Sequence, residues 1–222
     1  MAETYYVKSL DYVRHPKEDI VTMTLDGKEK VQFQTVRDMV KRRLIAPNTA
    51  SFGQQRRLST TILDENYLTT YRPQGIIFHT EQKPDYVLPF DLGLLSTDNN
   101  PPTRYYMIKK DVPLHYNRQL IKGWKKFIFK NFEDLKQRFP TPQDAWEAAN
   151  GFRISKGYKA LPSDKHRFVD YNEAVFYNPV KIEPVALFGY RQNVREMAKE
   201  LGMLHFSSAK KFCERMMSQR RI

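Results

Sequence analysis

The run Gly75-Ile76-Ile77-Phe78-His79-Thr80 constrains the fold more than any other part of the chain. A short apolar segment that ends in polar residues reads as a buried strand. Such a strand needs neighbours along its edges and cover on its faces, so the chain must supply further strands and amphipathic helices. It supplies both. Glu173-Ala174-Val175-Phe176-Tyr177 reads as a strand, Asn178-Pro179 as a turn, and Val185-Ala186-Leu187-Phe188 as a further strand. Arg104-Tyr105-Tyr106-Met107-Ile108-Lys109, after Pro101-Pro102, is another strand candidate. Ile20 to Leu25 and Lys30 to Phe33 flank Asp26-Gly27, a strong hairpin signal.

The helical segments are marked by caps and stripes. Thr35 is placed to cap a helix whose Val36, Met39, Val40 and Leu44 form one apolar stripe, with Arg37, Lys41, Arg42 and Arg43 elsewhere on it and Pro47-Asn48 as the stop. Gln119 to Phe139 reads as partly helical, with Trp124, Phe127, Ile128, Phe132 and Leu135 turned inward. Thr141 caps a short helix through Trp146 and Ala149, with Pro142 in its first turn, and Gly151 to Arg167 reads as a basic loop. Asn193 is expected to cap Val194 to Leu201, Gly202 to end that helix, and Ser207 to cap a last helix through Met217. Val194 to Met203 is similar to the first helix and turn of a helix-turn-helix.

These readings give an α+β chain in three stretches. Residues 1–70 form a small N-terminal α+β unit for contact with a partner or nucleic acid, residues 71–190 a central core, and residues 191–222 a C-terminal helical pair of helix-turn-helix type.

Charge narrows the partner. The 222 residues carry 37 Lys and Arg against 25 Asp and Glu, a net charge of +12. A surface this basic binds polyanions by displacing their counterions, so nucleic acid is the expected partner. The single cysteine, Cys213, rules out an intramolecular disulfide and a cysteine-based zinc site. No apolar run has the length of a membrane span and the first residues lack signal-peptide character, so no membrane partner and a reducing cytoplasm are expected. P-loop, G-x-S-x-G and G-x-G-x-x-G motifs are missing. The five histidines are dispersed with no pair at ligand spacing, so no metal is expected. A metal-nuclease reading from Pro84-Asp85 fails at a ligand position, because Tyr106-Met107-Ile108-Lys109 lacks an acidic residue two before its lysine.

Two segments carry a more specific pattern when taken together. Ile77-Phe78-His79-Thr80 is followed by Gly93-Leu94-Leu95-Ser96, and much later comes Asn172-Glu173-Ala174-Val175-Phe176-Tyr177-Asn178-Pro179-Val180-Lys181-Ile182. In order and content this resembles the first and last signatures of ADP-ribosyltransferases of the His-Glu type, the group that includes the PARP proteins and the DNA-modifying DarT toxins. The resemblance covers about half the chain and excludes residues 1–70. It implies a split mixed or antiparallel β core with peripheral helices, and NAD as a substrate with no metal. It also implies an activity on DNA or RNA, such as that of a toxin in a toxin–antitoxin or phage-defence system.

The resemblance also implies roles for individual residues. Glu173 would be catalytic, its carboxylate stabilising the oxocarbenium-like state through a ribose hydroxyl. His79 would hold a ribose hydroxyl and position the cofactor, with Thr80 and Gly93 beside it and Tyr105 or Tyr106 stacking on nicotinamide. The basic stretch before Glu173, with Lys156, Lys159, Lys165 and Arg167, would receive the nucleic-acid acceptor. Arg42 and Arg43 on the first helix, and Lys210 and Lys211 on the last, are further phosphate contacts. An antitoxin or an assembly protein is a possible second partner. The chief alternative is a non-enzymatic basic DNA- or RNA-binding protein of a phage or mobile element, and a third reading is an assembly protein facing packaged genome.

Overall fold

In a computed structural model, which describes residues 4–10, 35–47, 49–51, 55–97, 120–161 and 171–219, the run at 75–79 is a strand paired on both edges. The strands are β1 (Tyr5–Ser9), β2 (Leu44–Ile45), β3 (Thr49–Ser51), β4 (Gln55–Leu63), β5 (Gly75–His79), β6 (Tyr86–Leu88), β7 (Glu173–Phe176), β8 (Val180–Lys181), β9 (Glu183–Phe188) and β10 (Leu204–Phe206). The α-helices are α1 (Val36–Arg42), α2 (Phe132–Arg138), α3 (Pro142–Ser155), α4 (Gln192–Glu200) and α5 (Ala209–Gln219). The main sheet runs β10-β9-β5-β1-β4-β7-β6, with β3 added on β4, while β2 and β8 form a small separate sheet. β9 and β10 are parallel and the other pairs antiparallel, so the architecture is α+β on a mixed sheet.

Alternation along the strands sorts the core onto two faces. Tyr6, Ile62, Ile76, Phe78, Phe176 and Leu187 pack with Val36 and Met39 of α1, Phe132 and Leu135 of α2, and Val194 and Met197 of α4. Their neighbours Tyr5, Val7, Leu63, Ile77 and Phe188 point the other way, against Phe212 and Cys213 of α5. A third cluster lies beyond β6, where Leu88 and Phe90 meet Leu94, Leu95, Phe127, Phe139 and the α3 residues Ala145, Ala149 and Phe152. Gly75 is required where β5 begins, because a Cβ there would lie 2.5 Å from the Lys8 carbonyl oxygen and 2.7 Å from the Phe188 ring. No helix among the described residues is long and apolar enough to cross a membrane.

Several expectations change. The stretches 1–70, 71–190 and 191–222 share one sheet: β1 and β4 lie between β5 and β7, and β10 extends β9. β1, β5 and β7 take their hydrogen bonds from strands far along the chain, so the boundaries at 70 and 190 do not separate folding layers. The C-terminal stretch is not a helix-turn-helix. Gly202, at φ +65, ends α4, and Leu204-His205-Phe206 then leave as a strand on β9, so α4 is the crossover of a β-α-β unit. A DNA-reading motif instead needs its two helices joined by a short turn. The N-cap of α4 is Arg191 rather than Asn193, and the Ser208 hydroxyl, not Ser207, accepts from the first turn of α5 at Lys211.

Thr141 caps α3 through a full capping box with Asp144. The helix then passes Gly151 and ends at Ser155, beyond the short helix expected, because Ala145, Ala149 and Phe152 keep one apolar stripe buried while Gly151 faces solvent. The 119–139 stretch is mixed: a 3₁₀ turn at Trp124–Phe127, a bridge from Phe129 to Val87, then α2. Leu44 lies in β2 rather than on the helix stripe, because Arg43 (φ 50) closes α1 in the left-handed region. The hairpin at 20–33 and the strand at 104–109 lie outside the described residues.

Candidate active site around Glu173

β4 alternates apolar and polar side chains. Leu58 and Ile62 enter the core, while Arg57, Ser59 and Thr61 face the other way. Because β7 pairs with β4 at Ser59↔Val175 and Thr60↔Ala174, the polar row of β4 faces the first residue of β7. That residue is Glu173, 8% exposed and flanked on its other edge by Leu88 of β6. Asn172, completely buried, fixes this end of β7: its amide accepts from the Ile62 N–H at 2.8 Å and donates to the Ile62 carbonyl at 2.7 Å.

The carboxylate is held through a single oxygen. The Ser59 hydroxyl donates to Glu173 Oε1 at 2.5 Å, and Arg57 Nη2 lies 3.2 Å from the same oxygen. Arg57 also donates from Nη1 to the Tyr86 hydroxyl at 3.0 Å, while its Nε has no hydrogen-bond partner among the described residues. The ion pair is almost completely withdrawn from water, with side-chain exposures of 9% and 10%. Burial opposes the Arg57 charge, but the Glu173 carboxylate, followed by Tyr86 and Asp91, outweighs it and holds the guanidinium above its ordinary value.

Two phenols complete the cluster. Burial pushes Tyr86 up to about 12, against the pull of Arg57 and with Tyr177 and Glu173 adding to the rise. Tyr171, two residues before Glu173, donates to Asp91 Oδ2 at 3.1 Å, and burial, then Asp91 and Glu173, raise it well above its ordinary value. The 3₁₀ turn Leu92–Leu95, which carries Gly93, follows Asp91 directly. Arg153, completely buried, holds this turn by donating from Nη1 to the Leu94 and Ser96 carbonyls at 2.9 and 2.6 Å, and from Nε to the Lys159 carbonyl at 3.1 Å. The Gly93 turn and Glu173 are thus linked through Asp91 and Tyr171.

His79 and Thr80 lie elsewhere. Two strands, β1 and β4, separate β5 from β7. Three inter-strand spacings put roughly 14 Å between the two strands. The cross-strand row from His79 runs through Tyr5 and Leu63, both buried under α5. His79 Nδ1 donates to the Thr4 carbonyl at 3.1 Å, and its Nε2 is 3.6 Å from Glu81 Oε1. The Thr80 hydroxyl donates to the Lys181 carbonyl at 2.7 Å and accepts from the Gln82 N–H at 3.2 Å. The two signatures that the sequence joins therefore meet at Thr80 and Lys181, while His79 and Glu173 stay apart, on strands separated by β1 and β4.

The basic candidates are also dispersed. Arg42 and Arg43 are exposed where α1 ends, on one face of the sheet. Lys210 and Lys211 are exposed where α5 begins, on the opposite face, and Lys211 pairs with Glu214 at 2.8 Å. Lys156 and Lys159 are exposed after α3. Tyr105, Tyr106, Lys165 and Arg167 lie outside the described residues.

Sequence reading passed over Arg57, Ser59, Tyr86, Asp91 and Tyr171 as site residues. The signal for the first two was present: Arg57, Ser59 and Thr61 alternate with Leu58, Thr60 and Ile62, placing a polar row on one face of a strand. No family model, curated protein or solved structure matches this chain.

Proposed function

We propose that the Glu173 cluster is the reaction centre of an NAD-dependent ADP-ribosyltransferase that modifies nucleic acid. The observation that supports this reading is the carboxylate itself, buried at the opening of β7 and gripped through Oε1 alone by Ser59 and Arg57. Such a grip fixes the orientation of the carboxylate and leaves Oε2 with no hydrogen bond among the described residues. A carboxylate oriented in this way serves one half of NAD cleavage: it accepts a hydrogen bond from a ribose hydroxyl and opposes the positive charge that grows on the sugar as nicotinamide leaves.

The surrounding groups suit the other demands of that reaction. Arg57 fixes Glu173 and Tyr86 together, and Tyr86 supplies a hydroxyl on the same side. The tie of the Gly93 turn to Tyr171 through Asp91 supports a place for Gly93 in the same site. His79 and Thr80 have no part in this proposal, since their polar groups already serve the backbone at Thr4 and Lys181. The fold of ADP-ribosyltransferase type belongs to the same proposal, and so does a role as the toxin of a toxin–antitoxin or phage-defence system.

The test is to incubate the purified protein with NAD labelled in the adenylate, together with single-stranded DNA, RNA and duplex DNA in separate reactions. Label should appear on nucleic acid, and Glu173→Gln should abolish the transfer. Absence of transfer to every acceptor, together with absence of nicotinamide release, rejects the proposal. In that case the cluster is a polar clamp joining β4, β6 and β7, and the non-enzymatic nucleic-acid-binding reading takes its place.

A further inference from the structure

Two stretches of the chain contain no acidic residue, Val112 to Phe132 and Ala148 to Ser163. The described parts of both meet in the cluster beyond β6. Phe127 packs on Phe152 with ring centroids 5.5 Å apart, and on Phe139, where α2 ends, at 6.2 Å. Gly123 (φ +95) turns the chain beside the Phe152 ring, so that the 3₁₀ turn Trp124–Phe127 lies over the C-terminal part of α3. The side chain of Lys126 then crosses this aromatic floor, its ammonium 4.1 Å from the Phe152 centroid and 5.1 Å from that of Phe127.

The fold thereby gathers cations on one side of the aromatic floor. Lys126 is exposed on the turn, Arg138 in the last turn of α2, and Lys156 at the C-cap of α3. Lys122, Lys125 and Lys130 flank them, and among the described residues none of the six forms an ion pair. Partial burial, followed by repulsion from Lys156 and Arg138, depresses the Lys126 ammonium. That repulsion puts both Lys156 and Arg138 within electrostatic reach of Lys126. Some basic side chains elsewhere are neutralised: Arg37 pairs with Glu200, Lys136 with Asp64 and Lys211 with Glu214.

We infer that Lys126, Arg138 and Lys156, over the Phe127–Phe139–Phe152 floor, form the docking strip for the phosphodiester backbone of a nucleic acid. An unneutralised strip of cations costs self-repulsion in the free protein and recovers it when phosphates replace the condensed counterions. Trp124, half-buried on the same turn, is the aromatic side chain beside the strip on which an unstacked base would stack. Unlike Lys211, which pairs with Glu214, none of the three strip residues is in an ion pair among the described residues. The choice of nucleic acid as the polyanion rests on the function proposed above, but the binding site stands or falls without NAD chemistry.

The experiment is fluorescence anisotropy on the full chain, without NAD, using fluorescein-labelled single-stranded DNA and RNA of about 20 nucleotides over a salt series. The triple variant Lys126→Glu, Arg138→Glu, Lys156→Glu should bind at least about tenfold more weakly, and its plot of log affinity against log salt should lose a slope of roughly 2, at about 0.7 per phosphate contact. A control triple with the same change in charge at exposed lysines away from the strip, Lys83→Glu, Lys181→Glu, Lys199→Glu, should stay within about threefold of the parent, since long-range charge is screened at moderate salt. Because Lys126 packs on Phe152, the Gln version of the first triple checks that the loss follows charge and not folding. Equal weakening by both triples, or binding of neither probe by the parent, overturns the inference. If the strip variant loses binding while the parent binds but transfers no label, the strip is upheld and the transferase proposal fails.

Discussion

β5 ends, and β7 begins, with polar side chains in a largely buried setting, yet the two strand ends are built differently. At the end of β5, His79 Nδ1 and the Thr80 hydroxyl donate to the carbonyls of Thr4 and Lys181, which stitches the neighbouring chain in place. At the start of β7, side chains hold one another: Ser59 and Arg57 grip Glu173, Tyr86 grips Arg57, and Tyr171 grips Asp91. A side chain bonded to backbone satisfies a demand of the fold. A buried cluster of ionised and hydroxyl groups places costly desolvated charge where its field is strong, which is the pattern expected where charge develops in a reaction.

The sharpest way to break this contrast is Arg57→Met. It leaves Glu173 buried without its counter-charge and should cost about 3–5 kcal/mol in urea unfolding. The double variant with Glu173→Gln should recover a large part of that loss, because no unpaired charge then remains. A loss below about 1 kcal/mol for Arg57→Met would mean that water reaches the pair and that the site is not the dry cluster described here.

Alkaline titration gives a smaller effect with a definite sign. Tyr86 is raised to about 12 from the ordinary 10.0, and Tyr171 is raised well above it, so the folded chain retains phenolic protons that the unfolded chain has released. Their contribution is complete below pH 10 and is lost as pH rises toward the folded values, by at most on the order of 1 kcal/mol per pH unit for each phenol. Tyr86→Phe should flatten the fall of Tm with pH above 10. An unchanged slope would remove Tyr86 from the cluster.

Thr80→Val should have the smallest effect. It deletes one bond to the Lys181 carbonyl, worth about 0.5–1.5 kcal/mol net, and this difference should stay constant from neutral pH to the start of the alkaline fall. A cost as large as that of Arg57→Met would erase the distinction between the two strand ends.

The legible and illegible parts of this fold divide along the range of the interactions. β5, β7, the Thr35 and Thr141 caps and Pro142 follow from local rules, and the structure has them where spacing and capping place them. The pairing of β1 and β4 between β5 and β7 depends on residues up to about a hundred positions apart, and no local pattern encodes it. β10 was missed for a different reason. Three residues, Leu204-His205-Phe206, are too few to show alternation, and two capped helices around them imitate a helix-turn-helix. Glu173 was legible from its place at the head of an apolar strand. Its partners were less so, because Arg57 comes beside Glu173 only through the long-range pairing of β4 with β7.

Nicotinamide release from NAD by the parent, Glu173→Gln and Thr80→Val, measured side by side on folded protein, tests the central claim most directly. The account predicts a fall of about a hundredfold or more for Glu173→Gln, the scale on which a preorganised electrostatic group contributes, and less than about threefold for Thr80→Val. Full activity in Glu173→Gln, or equal losses in the two variants, would contradict it.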